Sequence, residues 1–195
     1  MVSILASAIS SSLRYTTGAR LGGAWLAVAL MFGAPAVAVE TYQEPESFIA
    51  ETFSGKSPEP EVVWLTGERK SAIKTLLGHD YASLRIRYWR DNGRSAWILE
   101  EIGKEQPITA GIVINDQQIE RIKVLVFRES RGWEIRHSFF TDQFRDVSLD
   151  SDRKLDRHID SISGATLSVR AIQKLARLAL YLDAETGVDR VQKSP

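Results

Sequence analysis

The residues best suited to chemistry form a short corner, Ser163-Gly164-Ala165-Thr166, directly before an apolar-periodic stretch. A helix that begins here would present unpaired backbone N–H groups and the positive end of its dipole, which together bind anions. Gly164 has no side chain to block a phosphate, and Ala165 is nearly as small. Thr166 adds a hydroxyl at the same place. These residue types favour a phosphate held at, or bonded to, Thr166, although Ser163 acting as an ordinary N-cap explains the same corner.

The segment after the corner predicts the helix that would position it. Its apolar residues recur at helical spacing from about Ala165 to Leu182. Arg170 lies one helical turn after Thr166, a spacing that suits either contact with a phosphate bound there or a surface salt bridge. The expected core-facing residues of this helix are Val169, Ile172, Leu175, Ala176 and Ala179.

Two alternating runs before the corner predict an antiparallel sheet. Residues 83–103 alternate around Asp91-Asn92-Gly93, and Asn-Gly flanked in this way is typical of a β-hairpin. Residues 107–127 repeat the pattern, with a turn near Asn115-Asp116. We therefore predict four consecutive antiparallel strands. The fold class is α+β: an antiparallel sheet of about four or more strands with packed helices, whose C-terminal helix opens at the Ser-Gly-Ala-Thr corner.

Shorter elements are expected before this sheet. Residues 62–65 predict a brief strand, and residues 66–78 predict a helix that ends at Gly78. The predicted organisation is a leader over residues 1–38, an N-terminal helix and linker over 39–60, a folded domain over 61–184 and a tail over 185–195.

The first 38 residues have the composition of a secretory signal peptide. Arg14 and Arg20 are the only charged residues before Glu40, and an apolar run covers residues 21–38. Ala36-Val37-Ala38 fits the small-x-small rule for cleavage. We therefore expect a periplasmic or otherwise extracytoplasmic protein that begins near Val39. The length of the run leaves an uncleaved membrane anchor open as the alternative.

The overall composition excludes several functional classes. The chain has 25 basic and 25 acidic residues, so its charge gives no support to nucleic-acid binding. It has no cysteine, which excludes disulfides, thiolate metal sites, iron–sulfur clusters and C-x-x-C-H haem attachment. Its three histidines are scattered, and no metal site is expected from them. Any redox chemistry therefore needs another cofactor.

The string Asp160-x-x-Ser163-Gly164-Ala165-Thr166 resembles the flavinylation motif of the FMN-binding domain family. This family includes flavin-carrying subunits of the Rnf complex and of the sodium-pumping NADH:quinone reductase. The resemblance implies FMN joined to Thr166 through a phosphoester. It also implies that a dedicated flavin transferase, acting outside the cytoplasm, recognises Asp160, Ser163, Gly164 and Ala165.

A weaker resemblance covers about residues 107–182. The family's turn before the motif carries an acidic residue and a glycine near the flavin, and this chain offers Glu129, Gly132 and Trp133 there. The resemblance implies that Trp133 is a candidate to stack on the isoalloxazine ring. Further candidates are two aromatic residues for stacking and two arginines that would stabilise an anionic reduced ring: Phe139, Phe140, Arg131 and Arg136.

Together these features predict an exported electron-transfer flavoprotein that relays electrons between a membrane-bound redox partner and an acceptor. The chain fits a redox carrier or an oxidoreductase subunit better than a stand-alone enzyme, because no general acid or base stands out. One alternative is a periplasmic module that holds a flavin or phosphate compound without a covalent bond. Another is a small flavin enzyme that reduces its substrate directly.

Overall fold

The structure, a computed structural model, describes the backbone of residues 39–193 and the side chains of residues 39–187. The predicted leader at residues 1–38, with its cleavage site, lies outside the described residues. Among the helices of residues 39–193, none is both long enough and apolar enough to cross a membrane.

A six-stranded antiparallel sheet forms the centre of the fold. Its strands lie side by side in the order β1-β6-β5-β4-β3-β2. The four consecutive strands predicted from the sequence are β3 to β6, which confirms the α+β class. The strands are β1 (Glu40–Thr41), β2 (Glu61–Trp64), β3 (Arg85–Asp91), β4 (Arg94–Ile102), β5 (Pro107–Asn115) and β6 (Gln118–Phe127).

Two tight turns set the register of the central strands. Asn92 and Gly93 both adopt left-handed backbone conformations, with φ of 48° and 82°, as a two-residue hairpin turn requires. The turn between β5 and β6 has the same form, with Asp116 and Gln117 at φ of 50° and 60°. Both predicted turns are therefore confirmed, the second without a glycine.

Within residues 39–193, four α-helices accompany the sheet, and the last extends further than the sequence predicts. Helix α4 continues to Lys193, whereas the apolar periodicity ended near Leu182 and residues 185–195 were expected to be a frayed tail. The prediction stopped too early because the added turns are held by polar contacts of Asp183 and Thr186, not by an apolar stripe. The helices are α1 (Pro45–Thr52), α2 (Gly67–Leu77), α3 (Ser138–Thr141) and α4 (Thr166–Lys193).

The two faces of the sheet are covered differently. Helices α4 and α2 pack on one face, where the stripe predicted for α4 is buried together with Trp97, whose ring stacks on Tyr88 at 4.6 Å between centroids. Helix α1 packs on the other face, and the ring of Phe48 lies directly against Gly111 of β5. Burial of the α4 stripe fixes this helix across β4, β5 and β6, and so fixes the position of its first residue, Thr166.

A buried polar network holds the second half of α4, at Asp183. The Asp183 carboxylate accepts hydrogen bonds from Arg90, from the Ser95 hydroxyl and from the Gln117 amide. Asp183 and Ser95 are almost fully buried. The network joins α4 to β3, to β4 and to the turn before β6, so it ties the helix to three parts of the sheet at once.

A second buried carboxylate, Glu101, connects α4 to the loop after α2. Glu101 accepts hydrogen bonds from Lys174 Nζ at 2.9 Å and from His79 Nε2 at 2.9 Å. His79 Nδ1 lies 2.9 Å from the carbonyl oxygen of Asp80. Both partners of the imidazole are acceptors, so a ring that satisfies both carries two protons. The hydrogen bond to Glu101, followed by that to Asp80, raises the pKa of His79 above its ordinary value.

This arrangement predicts a pH-dependent stability. Because the pKa of His79 is raised in the folded state, its stabilising contribution is complete below the unfolded value of about 6.5 and is lost as the pH rises through the folded value. Urea unfolding between about pH 5.5 and about pH 8.5 should therefore give a falling free energy of unfolding. His79→Gln should flatten this decline, and an unchanged slope in that variant would assign the decline to other groups.

Candidate functional site

The Ser-Gly-Ala-Thr corner is a tight turn that leads directly into α4. The N–H of Ala165 donates to the carbonyl of Ile162 at 3.0 Å, and Gly164 adopts a left-handed conformation with φ of 83°. Other L-residues rarely adopt this conformation, so Gly164 allows the turn. Ala165 is buried against the core, whereas Ser163 and Thr166 are exposed.

The start of α4 has no side-chain cap within the described residues. The helix begins at Thr166, and the carbonyl of the preceding Ala165 accepts the first helical bond, from Val169, at 2.9 Å. The residue at the cap position is therefore Ala165, which has only a methyl group. Ser163 lies two residues too early to act as the ordinary N-cap, so that interpretation is wrong. The first-turn N–H groups remain available to an anion.

Thr166 lines a groove of about 450 Å³ at this end of the sheet. Two cations, Lys104 and Arg131, line the same groove, and the Lys104 ammonium pairs with Glu105 at 3.0 Å. The groove is formed by the first turn of α4, the loop between β4 and β5, and the segment that follows β6. Its lining residues are Lys104, Glu129, Ser130, Arg131 and residues 164–168.

Glu129 holds the two loops of the groove together. Its Oε1 atom accepts hydrogen bonds from the backbone N–H groups of Lys104, Glu105 and Gln106, the last two at 2.6 and 2.9 Å. One carboxylate oxygen thus satisfies three amides of the β4–β5 loop. The acidic residue noted in the sequence therefore positions the wall that carries Lys104.

Gly132 brings the segment after β6 into direct contact with α4. It has φ of 89°, and a Cβ atom built there would lie 2.5 Å from Ser168 Oγ and 3.4 Å from the Ala165 methyl carbon. The backbone therefore approaches the first turn of α4 more closely than any side chain would allow. Gly132 sets the distance between Arg131 and Thr166 on the two sides of the groove.

We expect Gly132→Ala to destabilise the protein more than Gly78→Ala. Gly78 has nearly the same conformation, with φ of 83°, but a Cβ there would meet nothing within 4 Å. Its substitution should therefore cost only the left-handed backbone, about 1–2 kcal/mol. Gly132→Ala should cost about 1–3 kcal/mol more, because Ser168 must move. Urea unfolding of the two variants measures the difference, and equal losses would show that the close approach is not tight.

The aromatic candidates are not brought together in the groove. Trp133 is 44% exposed but does not line the groove, and Arg136 lies over its ring at 5.0 Å. Arg136 also lies over the Tyr42 ring, at 4.6 Å, and does not line the groove. Phe139 is exposed, and Phe140 is fully buried in the core. Phe140 is therefore wrong as a ring-stacking candidate, because none of its surface is accessible.

Arg170 and Asp160 lie outside the groove. Arg170 is exposed and lines a different cleft, further along α4, so the structure does not place it beside Thr166. The Asp160 side chain is 83% exposed, and its only ion-pair partner among the described residues is His158, at 3.7 Å. Its backbone N–H donates to the Gln143 side chain at 2.7 Å. The carboxylate of Asp160 is thus open to recognition by another protein.

Lys104 and Ser168 line the groove but were not predicted. Strand direction contained the information for Lys104: β5 runs antiparallel between β4 and β6, so the residues after β4 and after β6 meet at the same edge of the sheet. Ser168 had no such indication in the sequence, because its position depends on the approach of Gly132.

Comparison with known proteins assigns this region to a family. The family model of the FMN-binding domain matches residues 103–181, which span β5, β6, the segment up to the corner and the first half of α4. No curated protein and no solved structure is significantly similar to the chain. The matched range contains Thr166 and every residue that lines the groove. This chain therefore contains a domain of the FMN-binding family over residues 103–181, and its cofactor is FMN.

Proposed function

We propose that this protein carries FMN as a phosphoester on Thr166 and acts as an exported electron-transfer flavoprotein. One observation carries the proposal: within an FMN-binding domain, an exposed threonine hydroxyl stands at the uncapped start of a helix, in a groove edged by cations. That combination fits a phosphate monoester joined to a side-chain oxygen. An exposed threonine that binds no ligand would need neither an uncapped helix start nor neighbouring cations.

The residues of the groove suit FMN in both charge and shape. The free N–H groups of the first turn of α4 and the cations Lys104 and Arg131 would hold the phosphate. Gly164 leaves the backbone bare at the corner, where the phosphate would lie. Trp133 is exposed and lies two residues after Arg131, so it is the aromatic candidate nearest in sequence to the groove.

FMN supplies one- and two-electron redox chemistry when it is bound. The contribution of this chain is to bind, orient and tune it. Arg131 would stabilise negative charge that accumulates on a reduced cofactor, because its guanidinium is positively charged. Among the residues that line the groove, Glu129 is committed to three backbone amides, so we assign it a positioning role and no part in proton transfer.

A covalent bond suits the predicted location outside the cytoplasm. A cofactor that dissociates from an exported protein is diluted and lost, whereas an ester at Thr166 retains it. The leader composition supports export, and the exposed Asp160 carboxylate supports recognition of the motif by a flavin transferase. A membrane-bound redox partner would then exchange electrons with the attached flavin.

Mass spectrometry of the matured protein tests the attachment. Protein produced together with a flavin transferase should gain the mass of one FMN less one water, located on the peptide that contains Thr166. A yellow protein that loses its colour completely on denaturation would support non-covalent binding instead. Cofactor-free protein under these maturation conditions would contradict both.

A further inference from the structure

A second cleft lies along α4, beyond the groove that contains Thr166. It has a volume of about 340 Å³ and is formed by one face of α4 and the loop that precedes the corner. Five of its nine lining residues are lysine or arginine, and none is acidic. The whole chain carries equal numbers of basic and acidic residues, so this charge is a local concentration. The basic residues are Lys154, Arg157, Arg170, Lys174 and Arg177.

Three of these cations are not neutralised by any carboxylate of the described residues. Arg157 donates to the carbonyl of Arg145 at 3.3 Å, and Arg177 donates to the carbonyls of Arg153 and Leu76 at 2.9 and 3.4 Å. Carbonyl groups hold these side chains in place but leave their charge uncompensated. Arg170 is exposed and has no ion pair within residues 39–187. The cleft therefore keeps a net positive charge, of which Arg157 and Arg177 are held in place by carbonyl groups.

The cleft and Thr166 lie on the same side of α4. Arg170, Lys174 and Arg177 follow Thr166 at intervals of four, four and three residues, the spacing of one helical face. Because an α-helix rises 1.5 Å per residue, the cleft ends about 16 Å from Thr166. A molecule bound along the cleft would thus extend towards the groove.

We propose that this cleft is a docking surface for an acidic segment of a partner protein. The cations are distributed along about two turns of a helix and along the facing loop, which matches a series of carboxylates on an extended segment. A single small anion would need donors that converge on one point, whereas Arg157 and Arg177 direct hydrogen bonds to separate backbone carbonyls. The docking itself does not depend on the proposed attachment at Thr166. The role of docking in bringing a redox partner to the flavin does depend on that attachment.

Binding of an acidic peptide to the purified protein, without flavin, tests the proposal. The probe is a fluorescein-labelled deca-glutamate peptide, followed by fluorescence anisotropy. We expect binding that weakens steeply between about 50 and about 200 mM salt. Arg157→Glu/Arg170→Glu should weaken it about tenfold or more, because both changes reverse exposed charges in the cleft.

The matched control reverses two exposed cations outside the cleft, Lys70→Glu/Arg87→Glu. It changes the net charge by the same amount and should alter the peptide affinity by less than about twofold. Equal losses in the two double variants would overturn the proposal, since they would reflect net charge alone. Absence of measurable peptide binding at low salt would also overturn it.

Tripolyphosphate distinguishes a protein segment from a small polyanion. We expect tripolyphosphate to displace the peptide no better than sodium chloride does at the same ionic strength. Stoichiometric binding that is tighter than that of the peptide would overturn the proposal in favour of a small-anion site. Circular dichroism confirms that the variants are folded. Flavin fluorescence on a denaturing gel, measured on separately matured samples, reports on attachment at Thr166. Failure of the docking proposal is therefore distinguishable from failure of the attachment proposal.

Discussion

Thr166→Ala is expected to abolish covalent flavin completely, whereas Thr166→Ser should retain part of it. The proposed bond requires a hydroxyl at the first residue of α4, where the free N–H groups of the helix start meet the groove. Alanine removes the oxygen and leaves the helix intact, because Thr166 is exposed. Unfolding stability should therefore change by less than about 0.5 kcal/mol. The readout is flavin fluorescence after denaturing electrophoresis of co-matured protein.

Two other hydroxyls that line the groove make this prediction specific. Ser168 is buried beneath Gly132, which excludes it from attachment in the folded protein. Ser130 lines the groove and is exposed, so Ser130→Ala is the matched control and should keep its covalent flavin. Fluorescence that persists in denatured Thr166→Ala would place the bond on another residue. Fluorescence that is lost in Ser130→Ala but kept in Thr166→Ala would identify Ser130.

Asp183→Ala is expected to cause the largest loss of stability of the substitutions considered. Asp183 is almost fully buried and accepts hydrogen bonds from Arg90, Ser95 and Gln117. Its removal leaves the Arg90 guanidinium, whose side chain is only 10% exposed, without its carboxylate partner. Breaking a buried ion pair by deleting one member costs about 3–5 kcal/mol. Since small proteins are stable by about 5–15 kcal/mol, urea unfolding should show a large shift in midpoint.

Glu120→Ala provides the matched control for Asp183→Ala. Glu120 also pairs with an arginine, Arg94, at 2.8 Å, but both side chains are about 40% exposed. Water replaces such a partner, so the expected loss is below about 1 kcal/mol. Comparable losses in the two variants would contradict the role of burial in the Asp183 network. A loss confined to Asp183→Ala would show that α4 is anchored in its second half by polar contacts.

Much of the fold could be predicted because its determinants are local. Alternation of polar and apolar residues identified β3 to β6, and Asn92-Gly93 identified the turn between the first two of them. The stripe from Val169 to Ala179 identified the core-facing side of α4. The Ser-Gly-Ala-Thr corner could be identified for the same reason, since Gly164 and Thr166 act within one turn of the chain.

The predictions that failed depended on contacts between distant segments. The apolar stripe could not reveal that α4 continues past Leu182, because its last turns are held by Arg90 from β3. Residue type could not separate exposed Phe139 from buried Phe140. Helical spacing placed Arg170 one turn from Thr166, yet its side chain lines the neighbouring cleft.

The sequence by itself determined the chemistry available to this protein: a hydroxyl at a glycine-bearing helix start, no thiols, and a neutral overall charge. Only the tertiary structure decided which charges surround that hydroxyl. Lys104 and Arg131 come to Thr166 because β4 and β6 end at the same edge of the sheet and because Gly132 lets its backbone contact Ser168. Periodicity and turn residues act over a few positions, whereas the convergence of loops depends on strand direction and on packing between segments far apart in the chain.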